Sequence, residues 1–196
     1  MMNQVSDITI LICLLALFIA ILINFVERNK KVQTEKKSIV ETGSMTGFFI
    51  FFYLLIRFKI GDLQLPETAA LILKPIGLLL VIAGTYINIR SRKTLGANWA
   101  NQVTLYTDQQ VVCSGMYKYI RHPLYSSIIA MFYGACLVYP NYLAFAANTL
   151  IFVPFMYYRA RQEENLLRKR LPGYEEYRRK TGLFIPKLIK NESNSN

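Results

Sequence analysis

The sequence predicts an all-α, multi-pass membrane protein with about five transmembrane helices, the last two paired as a helical hairpin. Three observations predict it. The 196-residue chain is 53% hydrophobic and only 18% charged. Its apolar residues gather into five runs that reach or approach the roughly 20 residues a helix needs to cross hydrocarbon. Its 23 Lys and Arg fall mainly in alternate connections between those runs. Such a composition excludes intrinsic disorder and argues against an ordinary soluble domain. The formal charge of +11 need not mean nucleic acid, because basic residues also mark the cytoplasmic ends of membrane helices.

The first run, Ile8–Val26, is the clearest. It is longer than the roughly 7–15-residue apolar region of a signal peptide, and residues 1–10 carry no Lys or Arg. The second, Ser44–Ile56, is shorter and is extended by Ile39 and Val40 or by Phe58 and Ile60. Ala69–Ile89 follows, with Lys74 near enough to its outer end to snorkel. Leu124–Tyr139 and Tyr142–Tyr158 are separated only by Pro140 and Asn141, which reads as a tight turn.

Charge placement supports the count independently. Basic residues crowd the 27–43 connection, the 90–121 segment and the tail beyond Arg159, and are sparse in residues 1–7, in 57–68 and at the hairpin tip. Five spans with the N-terminus outside and the C-terminus cytoplasmic put every rich segment on the inner side. Residues 1–89 then form an N-terminal three-helix membrane region. Residues 90–190 form a second region: a cytoplasmic loop, the hairpin 122–158, and C-terminal helices beginning with a short amphipathic stretch, Arg161–Leu171, that Pro172-Gly173 breaks. Residues 191–196 read as a disordered tail. Cys13, Cys113 and Cys136 are odd in number and form no CxxC pair or Cys/His cluster, so neither a disulfide framework nor a metal site is expected.

Two clusters hold chemistry. The single histidine, His122, stands where the loop enters the fourth run, just before Pro123. It reads either as a helix cap or as a site residue. Arg159, Arg161, Glu163 and Glu164 follow the fifth run, with Arg159 and Glu163 on one helical face. They read either as a surface ion pair or as groups facing an interior cavity, which is usual for ionisable residues near membrane depth. A hairpin returns both clusters to the same side. Neither a G-x-G-x-x-G loop after a strand nor a P-loop occurs, so any nucleotide-like cofactor must be held by the loop, the helix ends and the tail.

A set of short motifs lies in this second half: Leu95 to Trp99 (Leu-Gly-Ala-Asn-Trp), Val111 to Tyr117, Arg121 to Tyr125 (Arg-His-Pro-Leu-Tyr), Arg159 to Glu164, Pro172 to Tyr177 and Phe184-Ile185-Pro186. In order and spacing this set resembles the isoprenylcysteine carboxyl methyltransferase family over roughly residues 90–187. The resemblance implies an integral-membrane transferase using S-adenosylmethionine to methylate a lipidic acceptor, first of all the carboxylate of an isoprenylcysteine. It implies cofactor contacts at Gln109, Gln110, Val111, Val112, Tyr117, His122, Pro123, Leu124, Tyr125 and Glu163, with Arg159 as the catalytic residue that orients the acceptor. Members often carry His where this chain has Gln109. The partners implied are a prenylated or acyl substrate and the bilayer, with no nucleic acid and no metal. Related membrane enzymes have similar C-terminal halves, so a phospholipid or small-isoprenoid methyltransferase, an NADPH-dependent sterol-type reductase and a non-catalytic membrane protein stay open as alternatives.

Overall fold

The computed structural model describes residues 2–26, 32–36, 39–96, 103–106 and 111–187. In chain order the elements are α1 (Met2–Val26), β1 (Val32–Lys36), α2 (Ile39–Arg57), α3 (Glu67–Leu95) and β2 (Val103–Tyr106). A 3-10 turn (Gly115–Lys118), α4 (Pro123–Val138), α5 (Tyr142–Ala147), a π turn (Asn148–Phe152), α6 (Val153–Arg170) and α7 (Tyr174–Lys180) complete it. The helical architecture expected from the runs is present. The antiparallel ladder of β1 with β2 was not expected, because it joins segments far apart in sequence.

Helix ends follow local chemistry. Pro66 precedes α3, Glu67 lies in its first turn and Arg92 and Lys93 in its last, each matching the helix dipole. Pro123 occupies the first turn of α4, where its missing N–H costs nothing. Asn141 caps α5, its Oδ1 accepting from the Ala144 N–H at 2.8 Å. From Tyr142 to Arg170 the chain is one nearly unbroken rod. Its π turn falls just before Pro154, which removes a backbone donor from the next turn. The stretch from Arg161 is therefore the far end of α6 and not a separate short helix, since no Gly or Pro lies between Pro154 and Pro172 to interrupt it. The sequence-based division at 89/90 falls within α3.

Packing is inverted relative to a soluble domain. Ile12, Ile72, Leu79 and Leu150 are 60%, 63%, 67% and 73% exposed, whereas Ser6, Asn88, Ser127 and Asn148 are buried. Two helices, Gln4–Ile23 and Glu67–Leu95, are long and apolar enough to cross a membrane; Gly43–Arg57 and Pro123–Val138 are shorter apolar helices. An aromatic core of Phe48, Phe52, Phe132 and Phe152 ties α2 to the hairpin, with ring centroids 4.7 Å apart for Phe48–Phe152 and 4.4 Å for Phe52–Phe132.

The most extensive helix–helix interface joins α3 to α4. It depends on close backbone approach. A Cβ on Gly77 would lie 2.5 Å from the Gly134 carbonyl oxygen, and one on Gly134 would lie 2.7 Å from that of Gly77. Small residues at such crossings let helices pack tightly where lipid supplies no hydrophobic drive. Gly134→Leu should therefore destabilise the protein by about 1–3 kcal/mol or more, read as a lower melting temperature in detergent, whereas Leu79→Ala on the exposed face of α3 should change it little. Deeper along this interface Asn88 donates to Ser127 Oγ at 2.8 Å and to the Leu124 carbonyl at 3.3 Å, and accepts from Arg92 Nε at 2.8 Å.

Candidate active site

The site forms where the hairpin returns. Pro123 starts α4, so His122 takes the capping position, but its side chain makes no capping bond. It is buried and turned instead toward α6. Its Nδ1 lies 3.5 Å from Glu163 Oε2 and its Nε2 lies 3.6 Å from Glu164 Oε1. One imidazole thus sits between two adjacent carboxylates. Burial lowers its pKa, but the two glutamates outweigh burial and leave the pKa above its ordinary value.

The two carboxylates are used differently. Glu164 is buried, with only 2% of its side chain exposed, and accepts from Arg121 Nε at 2.5 Å. Burial acts to raise its pKa, yet the hydrogen bonds from His122 and Arg121 prevail and bring it down to about 2. Arg121 also donates to the carbonyls of Arg178 and Thr181. Glu163 keeps 24% of its side chain exposed and accepts from the Tyr125 hydroxyl. Glu164 is therefore committed to the fold, while Glu163 retains surface that a ligand can reach.

Aromatic rings frame the cluster. His122 and Tyr125 stack with centroids 5.4 Å apart and an interplanar angle of 9°, and Phe184 meets both edge-on. The chain around Phe184 is held to the start of α4. The Arg121 and His122 N–H groups donate to the Gly182 and Leu183 carbonyls, and Ser126 Oγ donates to the Phe184 carbonyl. Tyr117, buried in the 3-10 turn, receives at its carbonyl a bond from the Tyr177 hydroxyl. Its own hydroxyl is held in the neutral form first by burial, then by Tyr177 and Glu163. Arg159 is buried on α6 with Nη1 2.8 Å from Met45 Sδ of α2, and its charge reaches Tyr125.

His122, Tyr125 and Glu163 therefore meet as the hairpin topology predicts, with Arg159 within electrostatic reach of Tyr125. Pro123 is buried behind them and Leu124 contributes its carbonyl to Asn88 and Ser127. Val111 lines a neighbouring groove of about 380 Å³, together with Cys113, Lys118, Gly173, Tyr177 and Thr181, and Val112 is half-buried beside it. Gln109 and Gln110 lie outside the described residues. Among the described residues no group of three or more His, Cys, Asp or Glu is placed to hold a metal ion.

Sequence reasoning passed over Arg121 with Glu164, and Asn88 with Arg92. The first pair had one signal, two adjacent glutamates of which only one could face a ligand. The second had another, an Asn and an Arg four apart near the C-terminal end of an apolar helix.

The class defined by these features is a helical membrane protein with a buried His–Glu–Tyr–Arg cluster at the ends of a terminal hairpin. Residues 76–169 match the model of the isoprenylcysteine carboxyl methyltransferase (ICMT) family. Probable protein-S-isoprenylcysteine O-methyltransferases of Oryza sativa subsp. indica and subsp. japonica are each 30% identical over 114 residues, covering 57% of this chain and 60% of theirs. The solved structure of the eukaryotic intramembrane Ras methyltransferase ICMT superposes with a TM-score of 0.55 at 24% identity, covering 77% of this chain and 54% of that one. The likeness to this family thus lies in residues 76–169 and in a 114-residue stretch shared with the curated relatives, and the solved structure shows a common fold. The chain spans about 60% of the length of the curated relatives it matches.

Proposed function

We propose that the protein transfers a methyl group from S-adenosylmethionine to a lipidic acceptor, most directly the carboxylate of an isoprenylcysteine. The observation that carries this reading is the convergence of His122 and Tyr125 at the start of α4 with the part-exposed carboxylate of Glu163 on α6. The residues present fit the cofactor. A part-exposed carboxylate suits its ammonium group, aromatic faces suit its sulfonium cation, and no metal cluster is needed. Gln109 to Val112, Tyr117, His122, Pro123, Leu124, Tyr125 and Glu163 would hold it. When bound, it supplies an electrophilic methyl group on a sulfonium.

The residues then have simple tasks. An acceptor carboxylate is ionised at neutral pH, since such groups titrate near 3.3–4.3, so no general base is required. Arg159 would orient that carboxylate, and alignment is the main contribution asked of the protein. A tight pair would stabilise the ground state as much as the transition state, so orientation matters more than strength. His122, held by two glutamates, positions Glu163 and the Tyr125 ring. Because opposite charges cancel as the acceptor reacts, a dry cavity favours the reaction over the solvated ions.

We read the architecture as five spans, Ile8–Val26, Ser44–Ile56, Ala69–Ile89, Leu124–Tyr139 and Tyr142–Tyr158, with the N-terminus outside and the C-terminus cytoplasmic. The distribution of Lys and Arg supports this topology. An apolar tail reaches the cavity from the bilayer, and the soluble cofactor arrives from the cytoplasm.

The test is transfer of labelled methyl groups by the detergent-purified protein to a panel of a prenylcysteine, small isoprenoid acids and phosphatidylethanolamine. Label should enter the carboxylates as base-labile ester. Label confined to the phosphatidylethanolamine nitrogen, or binding of NADPH without binding of S-adenosylhomocysteine, would overturn the reading.

A further inference from the structure

The water-facing rim of the site has a strong charge bias. Residues 111–187 contain eleven Lys and Arg against four Glu and no Asp. Two of those glutamates, Glu163 and Glu164, and two of the cations, the buried Arg121 and Arg159, belong to the site itself. The other two are already paired: Glu175 with Arg168 at 2.8 Å and Arg178 at 2.9 Å, and Glu176 with Lys180 at 2.6 Å. Lys169, Arg170 and Arg179 are exposed and form no ion pair among the described residues. Lys118 and Lys180, both exposed, border the same groove.

This charge lies beside the site. Arg121, which holds Glu164, donates to the carbonyls of Arg178 and Thr181, so the basic last turn of α7 is one side chain away from the cluster. Thr181 Oγ1 donates to the Tyr177 carbonyl, and the Tyr177 hydroxyl reaches Tyr117. The last turn of α6 adds Arg168, Lys169 and Arg170. A polypeptide attached to an acceptor held at Arg159 would leave the site past these cations.

We infer that this basic rim sets acceptor choice: it disfavours a prenylated carboxylate that carries a cationic peptide segment and favours one that is small or flanked by acidic residues. The inference rests on the methyltransferase reading of the same site. Prenylated C-termini usually carry either upstream polybasic residues or a second, palmitoylated Cys, so acceptors differ in charge. Like charges facing one another across an interface oppose binding and slow encounter, while complementary charges steer it. The effect is electrostatic and exposed, so salt screens it. The screening length falls from about 30 Å at 0.01 M to about 3 Å at 1 M.

The test uses the full chain in nanodiscs of neutral phosphatidylcholine. Three fluorescent peptides end in the same farnesylcysteine and differ only in a flanking run of Lys, Ser or Glu. Binding is read by anisotropy and methyl transfer is read separately. At low salt the Lys-flanked peptide should bind at least about tenfold more weakly than the Glu-flanked one, with the gap closing at high salt. The combined surface variant Lys169→Glu, Arg170→Glu and Arg179→Glu should reverse the order, and Lys169→Glu alone should narrow it. Equal binding of the Lys- and Glu-flanked peptides at low salt, an order indifferent to salt, or no binding by any of the three would overturn the inference. Binding in the expected order without methyl transfer would leave it standing and remove the methyltransferase reading instead.

Discussion

Replacing Glu164 by Gln should cost the protein about 3–5 kcal/mol of stability, seen as a large fall in melting temperature in detergent. Glu164 is the buried counter-ion of Arg121 and lies 3.6 Å from His122. Removing its charge leaves a buried guanidinium uncompensated, which is the expensive way to break such a pair. The same carboxylate makes stability depend on pH. Its pKa is lowered from 4.5 to about 2 in the folded protein, so its stabilisation is complete above the unfolded value and is lost as pH falls from about 4.5 to about 2. The loss is on the order of 3 kcal/mol. His122 acts in the opposite direction. Its pKa is raised above 6.5, so its contribution is full below about 6.5 and disappears as pH rises through the raised value. Melting curves of wild type and Glu164→Gln across pH 2 to 6 should converge at the acid end. Parallel curves would show that the carboxylate is not held as described.

The second large effect concerns chemistry and not folding. Arg159→Met, which removes the charge and the guanidinium but keeps an unbranched apolar side chain on the face toward α2, should lower kcat/KM for a carboxylate acceptor by about 10²–10³. Binding of S-adenosylhomocysteine should be nearly unchanged. Arg159 is buried, reaches α2 through Met45 and influences Tyr125, the place from which the proposed reading has it orient the acceptor. A variant that loses S-adenosylhomocysteine binding and turnover together would make Arg159 a structural residue.

Much of this arrangement was legible in the sequence because it depends on local signals and one topological rule. The apolar runs marked the helices, and Pro140-Asn141 marked the hairpin. A hairpin must return its two ends to one side, which is why His122 and Glu163 could be paired before any coordinates. The division of labour between Glu163 and Glu164 was not legible. Both lie side by side within α6, and only packing against Arg121 shows which is buried. The Asn88–Arg92–Ser127 hydrogen bonds required the α3–α4 crossing set by Gly77 and Gly134. The β1–β2 ladder joins residues some seventy positions apart, and nothing in either segment alone announces its partner. The helix beyond Arg159 was expected to start afresh because composition changes there, but a change from apolar to charged residues alters a helix's surroundings and not its backbone.

The central claim is that the part-exposed carboxylate beside His122 and Tyr125 holds the cationic end of S-adenosylmethionine. Calorimetric titration of S-adenosylhomocysteine into the wild-type protein and into Glu163→Ala tests it most directly. The wild type should bind one equivalent, and the variant, still folded, should bind at least about tenfold more weakly. Identical affinities in the two proteins would contradict it.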